Sequence, residues 1–131
     1  ALSQGYNVTE EGRTVHWETT ETHAPAILQR LLDAGIPPGI FLNINFPNCQ
    51  PDEVKGTLVT NQGKRVHGLW LDKRRDGRGF PYYWLRFGRE PSEIREGTDL
   101  AALRDQHISV TPLHLDLTAN EVKDQFKKAL A

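Results

Sequence analysis

Leu42-Asn43-Ile44-Asn45-Phe46-Pro47 is the stretch that decides the fold. Leu42, Ile44 and Phe46 alternate with two asparagines, the period-two pattern of a half-buried strand, and Pro47 ends it. Pro37-Pro38-Gly39 turns the chain into this strand, read as Ile40–Phe46. Upstream, Ala24, Ile27, Leu28, Leu31 and Leu32 recur at helical spacing before Gly35. Thr22 reads as the helix N-cap, with Pro25 in the first turn, where a missing N–H costs little. Downstream, Gly56–Thr60 reads as a second strand after the loop at Pro51-Asp52-Glu53.

The same logic carries outward. Ala1-Leu2-Ser3-Gln4 reads as the end of a buried strand, and Gly5 to about Thr20 as a polar loop. Thr98 caps a short helix with Leu100, Ala101 and Leu103, and His107–Thr111 follows as a strand with Ile108 and Val110 inward, ended by Pro112. Thr118-Ala119-Asn120-Glu121 fits a capping box, and Val122, Phe126, Ala129 and Leu130 give the last helix one apolar stripe. Helices alternating with strands predict the α/β class, a layered sheet with helices against it.

One segment departs from this scheme. Leu69-Trp70-Leu71 and Tyr82-Tyr83-Trp84-Leu85 are β-prone runs flanking Arg74-Arg75-Asp76-Gly77-Arg78-Gly79, a hairpin from Val66 to Phe87 with Asp-Gly supplying positive φ at the turn. Two of the three tryptophans and two of the three tyrosines lie on it, more apolar surface than an isolated ribbon can bury. It reads as an arm, residues 64–89, that packs on another subunit through Trp70, Tyr82, Tyr83 and Trp84. The arm is also a basic island. Residues 64–89 carry 8 basic and 2 acidic groups, against net −4 for residues 1–63 and −3 for residues 90–131.

Composition narrows the rest. At 131 residues, 37% hydrophobic and 25% charged, the chain fits one ordinary soluble domain or one large piece of a domain. Apolar runs stay too short to span a bilayer, and a lone Cys49 points to a reducing, cytoplasmic setting. The chain holds no methionine and starts Ala1-Leu2-Ser3, so it reads as a fragment. Five scattered histidines show no zinc-hydrolase spacing, and Cys49 without a CxxC partner reads as a small packed residue rather than a nucleophile. Gly77-Arg78-Gly79 is no phosphate loop. Asn43 and Asn45 have two readings, phosphate ligands or partners of loop backbone. Lys73, Arg74, Arg75 and Arg78 beside the arm's aromatics could hold a phosphate backbone while bases stack. Against that, the whole chain carries a net charge of −1, which argues for a solvated turn and against nucleic acid as a partner.

Four blocks carry a family resemblance: Leu42-Asn43-Ile44-Asn45-Phe46-Pro47, Val59-Thr60-Asn61-Gln62-Gly63, Gly97-Thr98-Asp99-Leu100-Ala101-Ala102, and Ile108 through Thr118 with Val110-Thr111-Pro112-Leu113 inside it. In this order and spacing they resemble the C-terminal half of the stationary-phase survival protein SurE family. The resemblance implies the C-terminal part of a Rossmann-like layered sheet with a protruding β-hairpin arm and a C-terminal helix. Residues 1–131 would form part of one such domain, with an oligomerisation arm at 64–89 and a homodimer or homotetramer as the assembly. It also implies a metal-dependent phosphatase acting on nucleoside 5′- and 3′-monophosphates, with Mg²⁺ or Mn²⁺. The family's Asn-Asp-Asp-Gly and Ser-Gly-x-Asn motifs do not occur here, so catalytic and metal-ligating residues are expected outside this segment. Thr98 and Asp99 could line the rim of the phosphate pocket, or Thr98 could simply cap its helix. One departure stands out: Gln106-His107 occupies the place of an expected Gly-aromatic pair.

Two alternatives to a nucleotidase portion remain, a nucleic-acid-binding module on the Arg-rich hairpin and a pure assembly module. The missing carboxylate pair yields a direct expectation, because a hard cation needs oxygen ligands to bind phosphate and polarise water. Residues 1–131 alone should show no metal-dependent phosphatase turnover. Release of inorganic phosphate from a nucleoside monophosphate by the contaminant-free segment would overturn this.

Overall fold

A computed structural model describes residues 1–64, 67–89 and 93–131. Its main sheet has four strands in the order β1 (Leu2–Gln4), β4 (Ile40–Phe46), β8 (His107–His114) and β5 (Gly56–Val59). The first pair is parallel, β4 and β8 are antiparallel, and β5 runs parallel to β8. Register puts Ile44 opposite Val110, Asn45 opposite Ser109 and Asn43 opposite Thr111. Because side chains alternate, every apolar member of these pairs falls on one face. Ala24, Ile44, Phe46, Ile108 and Val110 form the buried cluster, with Ile27 and Leu31 of helix α1 (Trp17–Ala34) packed against it.

The other face is polar yet also closed. Ser109 and Thr111 are buried, and so are Ala101 and Ala102 of the short helix α2 (Asp99–Arg104), which lies against β8 and β4. Thr60 and Thr111 share a hydroxyl hydrogen bond of 2.7 Å, and the Asn45 amide donates to the Ser109 hydroxyl at 3.3 Å. Small residues on α2 let it approach closely enough to dry this layer, so the hydroxyls pair with one another. Asn45 thus takes the structural one of its two readings.

The predicted α/β class, Ile40–Phe46, and the caps at Gly35 and Thr98 all hold. Other expectations need correction. The loop from Gly5 contains a hairpin, β2 (Tyr6–Thr9) with β3 (Gly12–Val15), in which the Arg13 guanidinium stacks on the Tyr6 ring. Helix α1 begins at Trp17, not Thr22, which puts Pro25 in its interior. Tertiary contacts hold the extra turns. The Thr19 hydroxyl donates to the Cys49 carbonyl, the Thr20 hydroxyl to Gln4 Oε1, and His23 Nε2 meets the Pro51 carbonyl at 2.9 Å. Leu32, expected on the packed face, is exposed. Strand β1 exists but lies at the sheet edge with Leu2 half-exposed, rather than buried.

Pro112 does not end its strand. Val110 offers its carbonyl to Thr60 N on the β5 side, so two residues on, the missing N–H of Pro112 points to that same side, past the end of β5. Its side toward β4 stays paired, opposite Leu42. The capping box at Thr118 is absent as well. Asp116 Oδ1 accepts from Thr118 N, an Asx turn that takes Thr118 out of contention, and α3 (Asn120–Ala129) starts without a side-chain cap. The apolar stripe of α3 is exposed at Phe126.

The arm is a two-stranded ribbon, β6 (His67–Arg75) with β7 (Pro81–Arg89), hydrogen-bonded to no other strand among the described residues. Its expected start at Val66 lies outside the described residues. The tip is a three-residue loop: Asp76 N bonds the Phe80 carbonyl, Gly79 N bonds the Asp76 carbonyl, and positive φ falls on Gly79 rather than Gly77. No helix among the described residues is long and apolar enough to cross a membrane.

The departure at Gln106 has a structural meaning. Gln106 follows α2 at φ +60°, the left-handed conformation in which glycine carries no penalty. Gln106→Gly should raise stability by about 0.5–1 kcal/mol, the strain relieved less the entropy given to the unfolded chain. Urea unfolding should show a higher midpoint at unchanged slope.

Candidate functional site

Two ends of the sheet compete for attention. At one end lie the carboxyl ends of β1 and β4, where ligands gather in open α/β sheets. Gly5 N bonds the Phe46 carbonyl at 2.8 Å, and Gln4 Nε2 donates to the Pro47 carbonyl at 2.8 Å. A side chain at Gly5 would press on Asn48 N at 3.0 Å. Asn48 Oδ1 is buried there without a hydrogen-bond partner among the described residues. Cys49 is buried beside it, and loss of hydration, then Glu53 and Asp52, pushes its thiol up from the ordinary value. A raised thiol is a poor nucleophile, which agrees with the packed-residue reading.

At the other end the chain leaves β5 and meets the start of α2. Asn61 bridges to Thr98: its N–H donates to the Gly97 carbonyl at 3.0 Å, and its carbonyl accepts from Asp99 N at 2.9 Å. Asp99 Oδ1 accepts from Gly63 N at 2.7 Å and from Leu100 N at 2.8 Å. The Thr98 hydroxyl donates to the Arg95 carbonyl at 2.7 Å and accepts from Ala101 N at 3.3 Å. Lys64, Arg95, Thr98 and Leu100 line a cleft of about 240 Å³ beside this knot.

The two candidate rim residues are therefore brought together, but in structural work. Thr98 caps its helix and Asp99 clamps the loop at Gly63. Val59 pairs with Val110 and Asn45 with Ser109, so the Asn61–Thr98 bridge lies toward the end of the sheet away from the carboxyl ends of β1 and β4. The Gly63 clamp was not foreseen. Its only signal in the sequence was a glycine in Asn61-Gln62-Gly63, and no local pattern names Asp99 as its partner.

Among the described residues, no three His, Cys, Asp or Glu side chains come together as a cation site. Of the adjacent acidic pairs, Glu10-Glu11 forms the β2–β3 turn, and Glu53 Oε2 is taken by Gln50 N at 2.8 Å. The described residues therefore bring together no ligand set that fits a catalytic divalent metal. At the α2 C-terminus, the hydrogen-bonded Arg104 guanidinium holds the Asp105 carboxyl below its usual range.

Fold and rim define a layered α/β protein with a two-stranded ribbon. The chain belongs to the SurE family: the family model described as survival protein SurE matches residues 1–68. It is 64% identical over all 131 residues to proteins named 5′-nucleotidase SurE from Chelativorans sp. (strain BNC1) and Mesorhizobium japonicum, of which it covers 52%. The crystal structure of the SurE protein from Aquifex aeolicus matches with a TM-score of 0.73 at 38% identity, over 87% of this chain and 46% of that one. The chain thus spans about half the length of the curated relatives it matches.

The clamp is testable by adding one carbon. A Cβ at Gly63 would lie 2.6 Å from Asp99 Oδ1 and 2.7 Å from Leu100 Cγ, so Gly63→Ala must break the clamp or shift α2. It should cost about 1–3 kcal/mol in chemical unfolding. Asp99→Asn keeps an accepting Oδ1 and should cost less.

Proposed function

We propose that this chain is the C-terminal portion of a metal-dependent phosphatase that hydrolyses nucleoside 5′- and 3′-monophosphates to nucleoside and phosphate. The observation that carries the reading is 64% identity across the whole chain to proteins named 5′-nucleotidase SurE. Its divalent ion, Mg²⁺ or Mn²⁺, would be held by residues outside 1–131, where the Asn-Asp-Asp-Gly and Ser-Gly-x-Asn motifs missing from this sequence would lie. Bound there, such an ion supplies charge stabilisation for a phosphoryl oxygen and an activated water.

On this reading residues 1–131 form part of one α/β domain, with 64–89 as its assembly arm, and the protein works in the cytoplasm. Thr98 and Asp99 serve the pocket by holding the 61–64 loop rather than by touching phosphate. The full-length protein should release phosphate from nucleoside monophosphates with Mn²⁺ or Mg²⁺ and stop when the metal is chelated. Hydrolysis that persists under chelation would sink the reading.

On the same reading the assembly is a homodimer or homotetramer built through the arm, expected above to use Trp70, Tyr82, Tyr83 and Trp84, and of its two sides the leucine side is the narrower choice. Leu71 faces Leu85 and Lys73 faces Tyr83 across the ribbon, while Trp70, Tyr82 and Trp84 lie on the opposite side. Leucines have no polar handle, yet Leu71 is 67% exposed, so the leucine side with Tyr83 is the one that needs cover. Leu71→Ser with Leu85→Ser should lower the oligomeric state of the full-length protein in light scattering. A monomeric parent, or a double variant that assembles as the parent does, would refute the arm's role.

A further inference from the structure

The opposite side of the ribbon is chemically unlike the leucine side. Strand register sets Trp70 across from Arg86, Asp72 across from Trp84, and Arg74 across from Tyr82. Opposite residues of an antiparallel pair share a face, so three aromatic rings, two guanidiniums and one carboxylate form a single surface. Asp72 Oδ2 lies 3.3 Å from Arg86 Nη1 and 3.7 Å from Arg74 Nη2, so it holds one cation on either side of itself.

One ring is held in a particular posture. Gly88 sits diagonally across from Trp70 on the same face, and a Cβ there would collide with Trp70 Cζ3 and Cη2. The six-membered ring of Trp70 therefore sets its edge against the bare backbone of Gly88. Trp70 is 48% exposed, Trp84 58% and Tyr82 41%. Partly exposed rings that share one face can stack bases, and guanidiniums beside them meet phosphates.

We propose that this face binds single-stranded nucleic acid, with bases stacked on Trp70, Trp84 and Tyr82 and backbone phosphates near Arg74 and Arg86. The expectation against nucleic acid came from the charge of the whole chain, but at physiological salt a ligand senses charge only within about 8 Å. On this face the charges are Arg74 and Arg86 against Asp72, a net of +1, unlike the −1 of the whole chain. A duplex hides its base faces, so the surface favours single strands. This inference does not depend on the phosphatase reading.

The test uses the full-length protein and a short fluorescein-labelled oligothymidylate without terminal phosphates, which no monophosphatase can attack. Anisotropy should rise on binding, and the affinity should fall as salt is raised. Trp84→Ala should weaken binding about tenfold, the effect of one stacked base, while Trp84→Phe keeps a ring and most of the affinity. Gly88→Val retains every charge and ring of this face but displaces the Trp70 ring, and should weaken binding similarly with an unchanged circular dichroism spectrum. Three results would overturn the proposal. One is no binding by the parent. Another is full competition by short-chain polyphosphate with Trp84→Ala unaffected, which reduces the face to charge alone. The third is a Trp84→Ala variant that lowers assembly while the parent binds no oligonucleotide, which assigns the face to a second copy.

Discussion

The pairing of β4 with β8 is the constraint on which the rest of the structure depends. It sets Ile44 against Val110 and Asn45 against Ser109, so one alternation in sequence becomes two chemically different faces of one sheet. The apolar face recruits α1 through Ala24, Ile27 and Leu31. The polar face accepts only a close, small-residue cover, which Ala101 and Ala102 provide. A one-residue slip of β4 would drive its two asparagines into the apolar cluster, and a slip of β8 would do the same with Ser109 and Thr111, so the register is strongly specified. That in turn places the Asn61–Thr98 bridge at one end of the sheet and the Gly5–Asn48 contact at the other.

What was legible in the sequence follows from this physics. The β4 strand and the core half of β8 could be read because burial on both faces forces a pattern that short-range context cannot blur. The start of α1 could not, since Thr19 and Thr20 favour the helix only through Cys49 and Gln4, far away in sequence. Pro112 misled for the same reason. Its tolerance depends on where a different strand stops. The β2–β3 hairpin was missed because its turn, Glu10-Glu11, lacks the Asn-Gly or Asp-Gly signature, although Val8 and Val15 lie on its strands.

The candidate site divides along a similar line. Thr98 was recognisable as a cap from its local pattern, and it is one. The clamp from Asp99 to Gly63 joins two blocks more than thirty residues apart, and only the fold brings them together. Family resemblance named both blocks without stating their contact. Likewise, the rings and cations of the arm were plain in the sequence, but their division into a leucine side and a tryptophan side became visible only with the register of β6 and β7.

The bridge between Asn61 and Thr98 closes a loop, and the whole ribbon lies within it. Hydrogen bonds of the body, from Asn61 N to Gly97, from Asp99 N to Asn61 and from Gly63 N to Asp99, fix both ends of that loop. The entropic cost of closing a loop grows only with the logarithm of its length. The body's stability is therefore almost indifferent to how long the ribbon is, and the ribbon can lengthen, shorten or change its surface chemistry while the sheet beneath it stays the same.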